Sequence, residues 1–184
     1  MSNNKKIILQ TQCWLDNIII EHNLCPFAKR ERDRGSIRFC VDDNIEIAQA
    51  LEHLVLECER LEQEVSIETS LFIFAELVQD FDDFLDLLDI ANQLLIAQGY
   101  EGIFQLASFH PEYQFADSFH DDPANYTNRS PYPMLHIIRE ASLEKALQNY
   151  PDPELIPQRN VDYCRTMGIE KMQQMLENCR KEQG

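Results

Sequence analysis

Residues 66–77 read SIETSLFIFAEL. The five apolar residues from Leu71 to Ala75 run without a polar break, are rich in strand formers, and are too few for a helix. Such a run predicts a strand buried on both faces, as in a central position of a parallel sheet. On either side the hydrophobic period switches to helical. Upstream, Ile47, Leu51, Leu54, Val55, Cys58 and Leu61 recur at helical spacing after Asp43 or Asn44 as cap. Downstream, Asp80 is positioned to cap FDDFLDLLDIANQLLIAQ, with Gly99 as its left-handed stop.

Further out, residues 7–23 form a first helix with Trp14, Leu15, Ile18, Ile19 and His22 on one stripe, and Cys25-Pro26 opens a short second helix ended by Gly35. Ser36–Val41 alternates as a strand, and GIFQLASF (102–109) and PMLHIIRE (133–140) are two more. ASLEKALQNY is a short helix, and residues 160–179 a terminal one bent at Gly168. Two successive right-handed strand, helix, strand units imply three parallel strands, with the fourth open to an antiparallel direction. The expectation is an α/β protein: one domain over 1–184, with helices packed on a mixed, mostly parallel sheet of about four strands.

The chain has 184 residues, 44% hydrophobic and 26% charged, as in an ordinary globule. No apolar run approaches the roughly 18 residues of a membrane span, and MSNNKKIILQTQCWLDN has no signal-peptide pattern, so a cytoplasmic protein without a membrane partner is expected. The net charge of −16 argues against nucleic acid. Between Phe39 and Asn128 twenty acidic residues face one basic residue, Arg60, whereas Lys29–Arg38 holds five basic residues. If the fold brings Arg129 near that basic cluster, a small anionic ligand becomes plausible; the alternative is a solvated basic helix. Six cysteines (Cys13, Cys25, Cys40, Cys58, Cys164, Cys179) contain no CxxC pair, so reduced thiols are the default, and Cys40, Cys58 and Cys179 fall on packing positions.

The connection 109–133 is the candidate site. A stretch this long without its own periodicity is usually a lid or binding loop, and it leaves the carboxyl end of a strand, the ligand edge of open α/β sheets. His110 is the leading general acid or base there. Arg129 offers a fork for an anion, Asn125 and Asn128 fixed donors, Tyr113 and Tyr132 stacking surface. On this reading Arg129→Ala leaves folding intact and abolishes ligand binding. The competing view is that aromatics and prolines glue a long loop to the sheet. Cys25, at a helix start and followed by Lys29 and Arg30, is a candidate nucleophile with a depressed pKa, or else a small hydrophobe closing a turn. A metal site from His110, Glu112 and His120 or His136 has the right residue types but no diagnostic spacing. No GxGxxG, GxxxxGK, GxSxG or HExxH occurs, which leaves the chain without a dinucleotide fingerprint, a phosphate loop, a serine-hydrolase elbow or a zinc helix, and its cofactor unknown.

NLCPFAKR (23–30), FHPEYQFAD (109–117), DDPANYTNRSPYPMLHIIREAS (121–142) and IPQRN (156–160) together resemble the signature of domain of unknown function family 1415, bacterial proteins of about this length. The resemblance covers nearly the whole chain. It implies a cytosolic bacterial protein with no assigned activity, and its motif takes in the positions of Cys25, Pro26, His110, Pro111, Tyr113, Phe115, Asn125 and Asn128 to Pro133. The ADSFH segment is more variable in that pattern, which counts against His120 as a ligand. Two functions stay open: a small-molecule enzyme using His110 and Cys25 on an anionic substrate, or a non-catalytic binding module.

Overall fold

A computed structural model of the chain describes residues 2–182. Four strands, β1 (Ile37–Asp42), β2 (Thr69–Phe74), β3 (Phe104–Phe109) and β4 (Met134–Arg139), form one sheet in the order β1-β2-β4-β3. All six residues of β2 are buried, as its unbroken apolar run requires. β1 pairs with β2 in parallel, while β4 pairs antiparallel with both β2 and β3. The α/β class holds, but the sheet is mixed rather than mostly parallel. Three strands do run in one direction; β4 is inserted between two of them. The reason lies in composition. Met134, Leu135 and Ile137 are fully buried on both faces of β4, which suits a central position, whereas β3 buries only Phe104 fully and takes the edge.

Helices α3 (Ile47–Gln63) and α4 (Phe81–Ala97) cover the first face of the sheet. Leu54, Cys58 and Leu61 from α3 and Phe84 and Leu87 from α4 pack on Phe72, Phe74, Leu135 and Ile137. Each such side chain contributes about 2 kcal/mol through burial. Two carboxylates enter this layer: Glu57, 2% exposed, accepts from Arg38 Nε (2.8 Å) and from the Ser70 hydroxyl (2.6 Å), and Asp42, 0% exposed, lies 2.7 Å from His53 Nδ1 of α3. Asp80 caps α4 by accepting from the N–H groups of Asp82 and Asp83. The α3 start differs from expectation. Glu46 is its boundary residue without a side-chain bond, because Asn44 donates instead to Asp42 Oδ1 (2.5 Å).

The second face is covered unevenly. Helix α1 (Asn3–Trp14) continues into a π-helix (Leu15–Ile20), and these pack with α6 (Ile156–Met167) and α7 (Ile169–Arg180) over Ile73 and Met134. The short helices α2 (Ala28–Arg34) and α5 (Glu140–Gln148) line the other part of that face. Pro26 lies before α2 rather than at its first position, and Phe27 is the boundary residue. Gly35 ends α2 at φ 68°. No helix among the described residues is long and apolar enough to cross a membrane.

The predicted bend at Gly168 is a full break between α6 and α7. Gly168 sits at φ 82°, ψ 158°, a region that side-chain-bearing residues scarcely enter, whereas Gly99, also at φ 82°, is the left-handed stop of α4. A Cβ would meet nothing within 4 Å at either site, so only backbone strain distinguishes them. Gly99→Ala should cost about 1 kcal/mol and Gly168→Ala about 2–3 kcal/mol in urea unfolding. Equal costs would mean that the α6–α7 junction relaxes to another conformation.

Candidate functional site

His110 follows Phe109 at the end of β3 and is fully buried, 0% exposed. Its Nδ1 accepts from the Glu112 N–H (3.0 Å), which leaves the proton on Nε2, and Nε2 donates to the Val78 carbonyl (3.1 Å). The ring lies against Phe81 and Phe84, with centroids 5.2 and 5.1 Å away. Burial lowers its pKa below the usual 6.5, against the opposing pull of the Val78 carbonyl. Val78 itself has φ 50°, a strained backbone for a β-branched residue. The imidazole therefore braces the turn between β2 and α4, and neither nitrogen is open to a substrate.

The polar loop residues are engaged in the same inward manner. Asn125, 0% exposed, accepts from the Phe115 N–H and the Ser118 hydroxyl and donates to the Phe119 carbonyl. Asn128 donates to the Ser108 carbonyl, and the Tyr132 hydroxyl donates to Gln10 Oε1. Tyr113 packs its ring on Phe81 and Phe115. Arg129, 5% exposed, donates from Nε to the Tyr113 carbonyl (3.1 Å) and from Nη2 to the His120 carbonyl (2.9 Å), with the Tyr126 ring 4.9 Å away. Its own carbonyl accepts the Trp14 indole N–H (2.9 Å). Glu112 and His120 pair at the surface (3.1 Å), but the His110 ring faces inward, and among the described residues no three His, Cys, Asp or Glu side chains converge for a metal.

The large concavity lies elsewhere, on the part of the second face that α1, α6 and α7 leave uncovered. It is a cleft of about 660 Å³, within the size range of small-molecule sites. Thr69 and Leu71 of β2, Phe109 of β3, and His136 and Ile138 of β4 form its floor. The walls come from Pro26, Phe27 and Ala28 on one side and Leu143, Ala146 and Tyr150 on the other, with Leu15 and Ile19 of the π-helix between. Phe27 and Tyr150 meet edge to face, centroids 5.5 Å apart.

Strand alternation puts His136 on this face with Met134 and Ile138. The Thr69 hydroxyl donates to the Ile137 carbonyl (2.6 Å), so its oxygen accepts the His136 Nε2 proton (2.6 Å). Nδ1 is left with a lone pair. It has no hydrogen bond among the described residues, and the His136 side chain, half-buried, lines the cleft. Burial holds the pKa of His136 at about 4, so the ring is neutral at pH 7.

Cys25 lies in the cleft wall. The backbone N–H groups of Phe27 and Ala28 point at its sulfur and lower its pKa, but burial is the larger effect and the thiol is raised overall. The depressed value expected from the helix start is not found, because burial outweighs the two N–H groups; Lys29 is engaged by Asp33, and Arg30 shares Glu31 at the exposed rim. Arg129 does not line this cleft, so the fold does not join it to the basic cluster. Arg30, Arg34 and Lys145 do border the cleft, and Lys145 has no ion pair among the described residues. His136 and Thr69 were visible in the sequence as polar residues on an apolar strand face; only the incomplete helical cover makes them accessible.

The arrangement defines an α/β protein with a mixed four-stranded sheet and an apolar cleft floored by a neutral imidazole. A family model described as "Protein of unknown function (DUF1415)" matches residues 6–174, and the chain belongs to that family. Neither a search of curated proteins nor one of solved structures found a match.

Two outcomes follow from this geometry. Arg129→Ala should destabilise the fold by about 3 kcal/mol in urea unfolding, since it strands two buried carbonyls; an unchanged midpoint would show that the loop holds without the clamp. His110 and His136 are neutral in the folded chain, yet take up a proton near pH 6.5 once unfolded. Acid thus favours the unfolded state: stability is full above about pH 7 and falls below 6.5, by up to about 1.4 kcal/mol per pH unit per group. His136→Gln should remove the His136 share of that slope between pH 6.5 and about 4.

Proposed function

We propose that the chain is a small-molecule enzyme whose substrate lies in the cleft on the second face of the sheet. The observation that carries this reading is the unpaired Nδ1 of a neutral imidazole on a floor shared with Thr69 and the apolar Leu71, Phe109 and Ile138. A polar atom left free on an apolar floor is the kind of group that fixes a ligand's orientation in a small-molecule site. The substrate places an apolar body on the floor and an anionic end toward Lys145, Arg30 and Arg34. His136 Nδ1 accepts a hydrogen bond from the substrate, and the Cys25 thiol, approached by two backbone N–H groups, is the nucleophile: its sulfur bonds to the electrophilic carbon as the bond to the leaving group breaks, and the thiol proton goes to that leaving group. His110, Asn125, Asn128 and Arg129 act by holding the loop 110–133 in place.

The raised Cys25 pKa favours a second reading, ligand binding without covalent chemistry. An aromatic sulfonate fluorophore has the required apolar body and anionic end. It should bind the wild type and lose at least about tenfold in affinity with Ala146→Trp, which fills the cleft from α5 while keeping the wild-type Tm; equal binding sinks the cleft assignment. Iodoacetamide then separates the two readings. Cys25 alkylated fast at pH 7 and protected by the fluorophore supports the enzyme, whereas an inert Cys25 supports binding alone.

A further inference from the structure

Cys13, near the end of α1, and Cys179, near the end of α7, are 166 residues apart in sequence, yet their sulfurs lie 3.0 Å apart. That is inside the ordinary contact distance of two thiols and about 1 Å longer than a disulfide bond. Among the described cysteines no other sulfur pair is in contact. Cys13 is partly exposed, while Cys179 is 2% exposed. The Asn17 side-chain amide donates to the Cys13 sulfur (3.3 Å).

We infer that Cys13 and Cys179 form a redox-active dithiol, oxidised by a hydroperoxide to a disulfide that joins α1 to α7. Cys13 is the attacking thiol because it alone reaches solvent. Its sulfur takes the terminal oxygen of the hydroperoxide, giving a sulfenic acid and releasing the alcohol, or water from hydrogen peroxide. Cys179 sulfur then attacks Cys13 sulfur; the S–O bond breaks, and hydroxide leaves with the Cys179 proton as water. Burial and the adjoining Cys13 raise the Cys179 pKa, in keeping with a resolving thiol that stays protonated until the sulfenic acid forms.

The surroundings are arranged for little movement. One turn before Cys13, Gln10 donates to the carbonyls of Arg180 and Glu182, directly beyond Cys179, and accepts from the Tyr132 hydroxyl. The two helix ends are thus already docked. A disulfide spanning so much of the chain restricts the unfolded state strongly.

The test is to treat the reduced full chain with an equimolar amount of hydrogen peroxide and follow it by intact mass, peptide mapping and thermal unfolding. The expected result is a loss of about 2 Da from two thiol hydrogens, a 13–179 cross-linked peptide, and a Tm raised by about 5–10 °C that dithiothreitol reverses. Cys13→Ser, at the partly exposed position, should show none of these. Retention of all six thiols, a disulfide at another pair, or Cys13 oxidised to sulfinic acid beside a free Cys179 would overturn the inference, and the wild-type peptide map decides this even if the variant folds poorly.

Discussion

The buried guanidinium of Arg129 is the constraint on which the second face of the sheet depends. Desolvating a cation without a carboxylate costs several kcal/mol, and among the described residues the charge is met by two backbone carbonyls and the face of Tyr126. Those carbonyls, of Tyr113 and His120, lie far apart along the loop, so satisfying the cation folds the loop on itself. Through its own carbonyl the same residue takes the Trp14 indole proton, which ties the end of α1 to the entrance of β4. One residue thereby fixes loop, helix and strand together.

That fixed loop explains where the open surface lies. The loop, α1, α6 and α7 gather over the Met134 end of the face, and Tyr126 joins that apolar cluster. Toward Ile138 only α2 and α5, of seven and nine residues, flank the strands. Neither is long enough to bury the floor between them. The strand period of two then leaves no choice about His136: with Leu135 and Ile137 committed to the first core, it must face the cleft. Thr69 satisfies one nitrogen, and the other is left to whatever enters.

Elements with strong local signals could be read from the residues alone. LFIFA, Asp80 and Gly99 act through backbone burial, capping and positive φ, which are local properties. Sheet order was less legible, because the insertion of β4 between β2 and β3 is decided by pairing across long sequence separations. His110 illustrates a second limit. The residue type and its place after a strand are those of many catalytic histidines, but whether the ring turns toward solvent or under Phe81 and Phe84 depends on a helix thirty residues away. For His136 the alternation with Met134 and Ile138 marks an apolar face; that this face is only partly roofed depends on how far two short helices reach. Cys13 and Cys179 carry no spacing signal, since their meeting is a product of the whole topology.

The π-helix brings these features into one segment. Cys13, Trp14 and Leu15 are successive residues, roughly 100° apart around the helix, so they face the Cys179 sulfur, the Arg129 carbonyl and the cleft in turn. The wider turn that follows keeps Leu15, Ile18 and Ile19 buried. It then reverses through Asn23 at φ 53°, with the Leu24 N–H bonded to the Ile19 carbonyl, and delivers Cys25 to the cleft wall. π-helical turns are rare and occur mostly as single turns within α-helices. Here the compulsion is visible: Trp14 is held from one side by Arg129, Ile19 must seal the cleft from the other, and in a regular α-helix between them each residue gained or lost would turn Ile19 by about 100°.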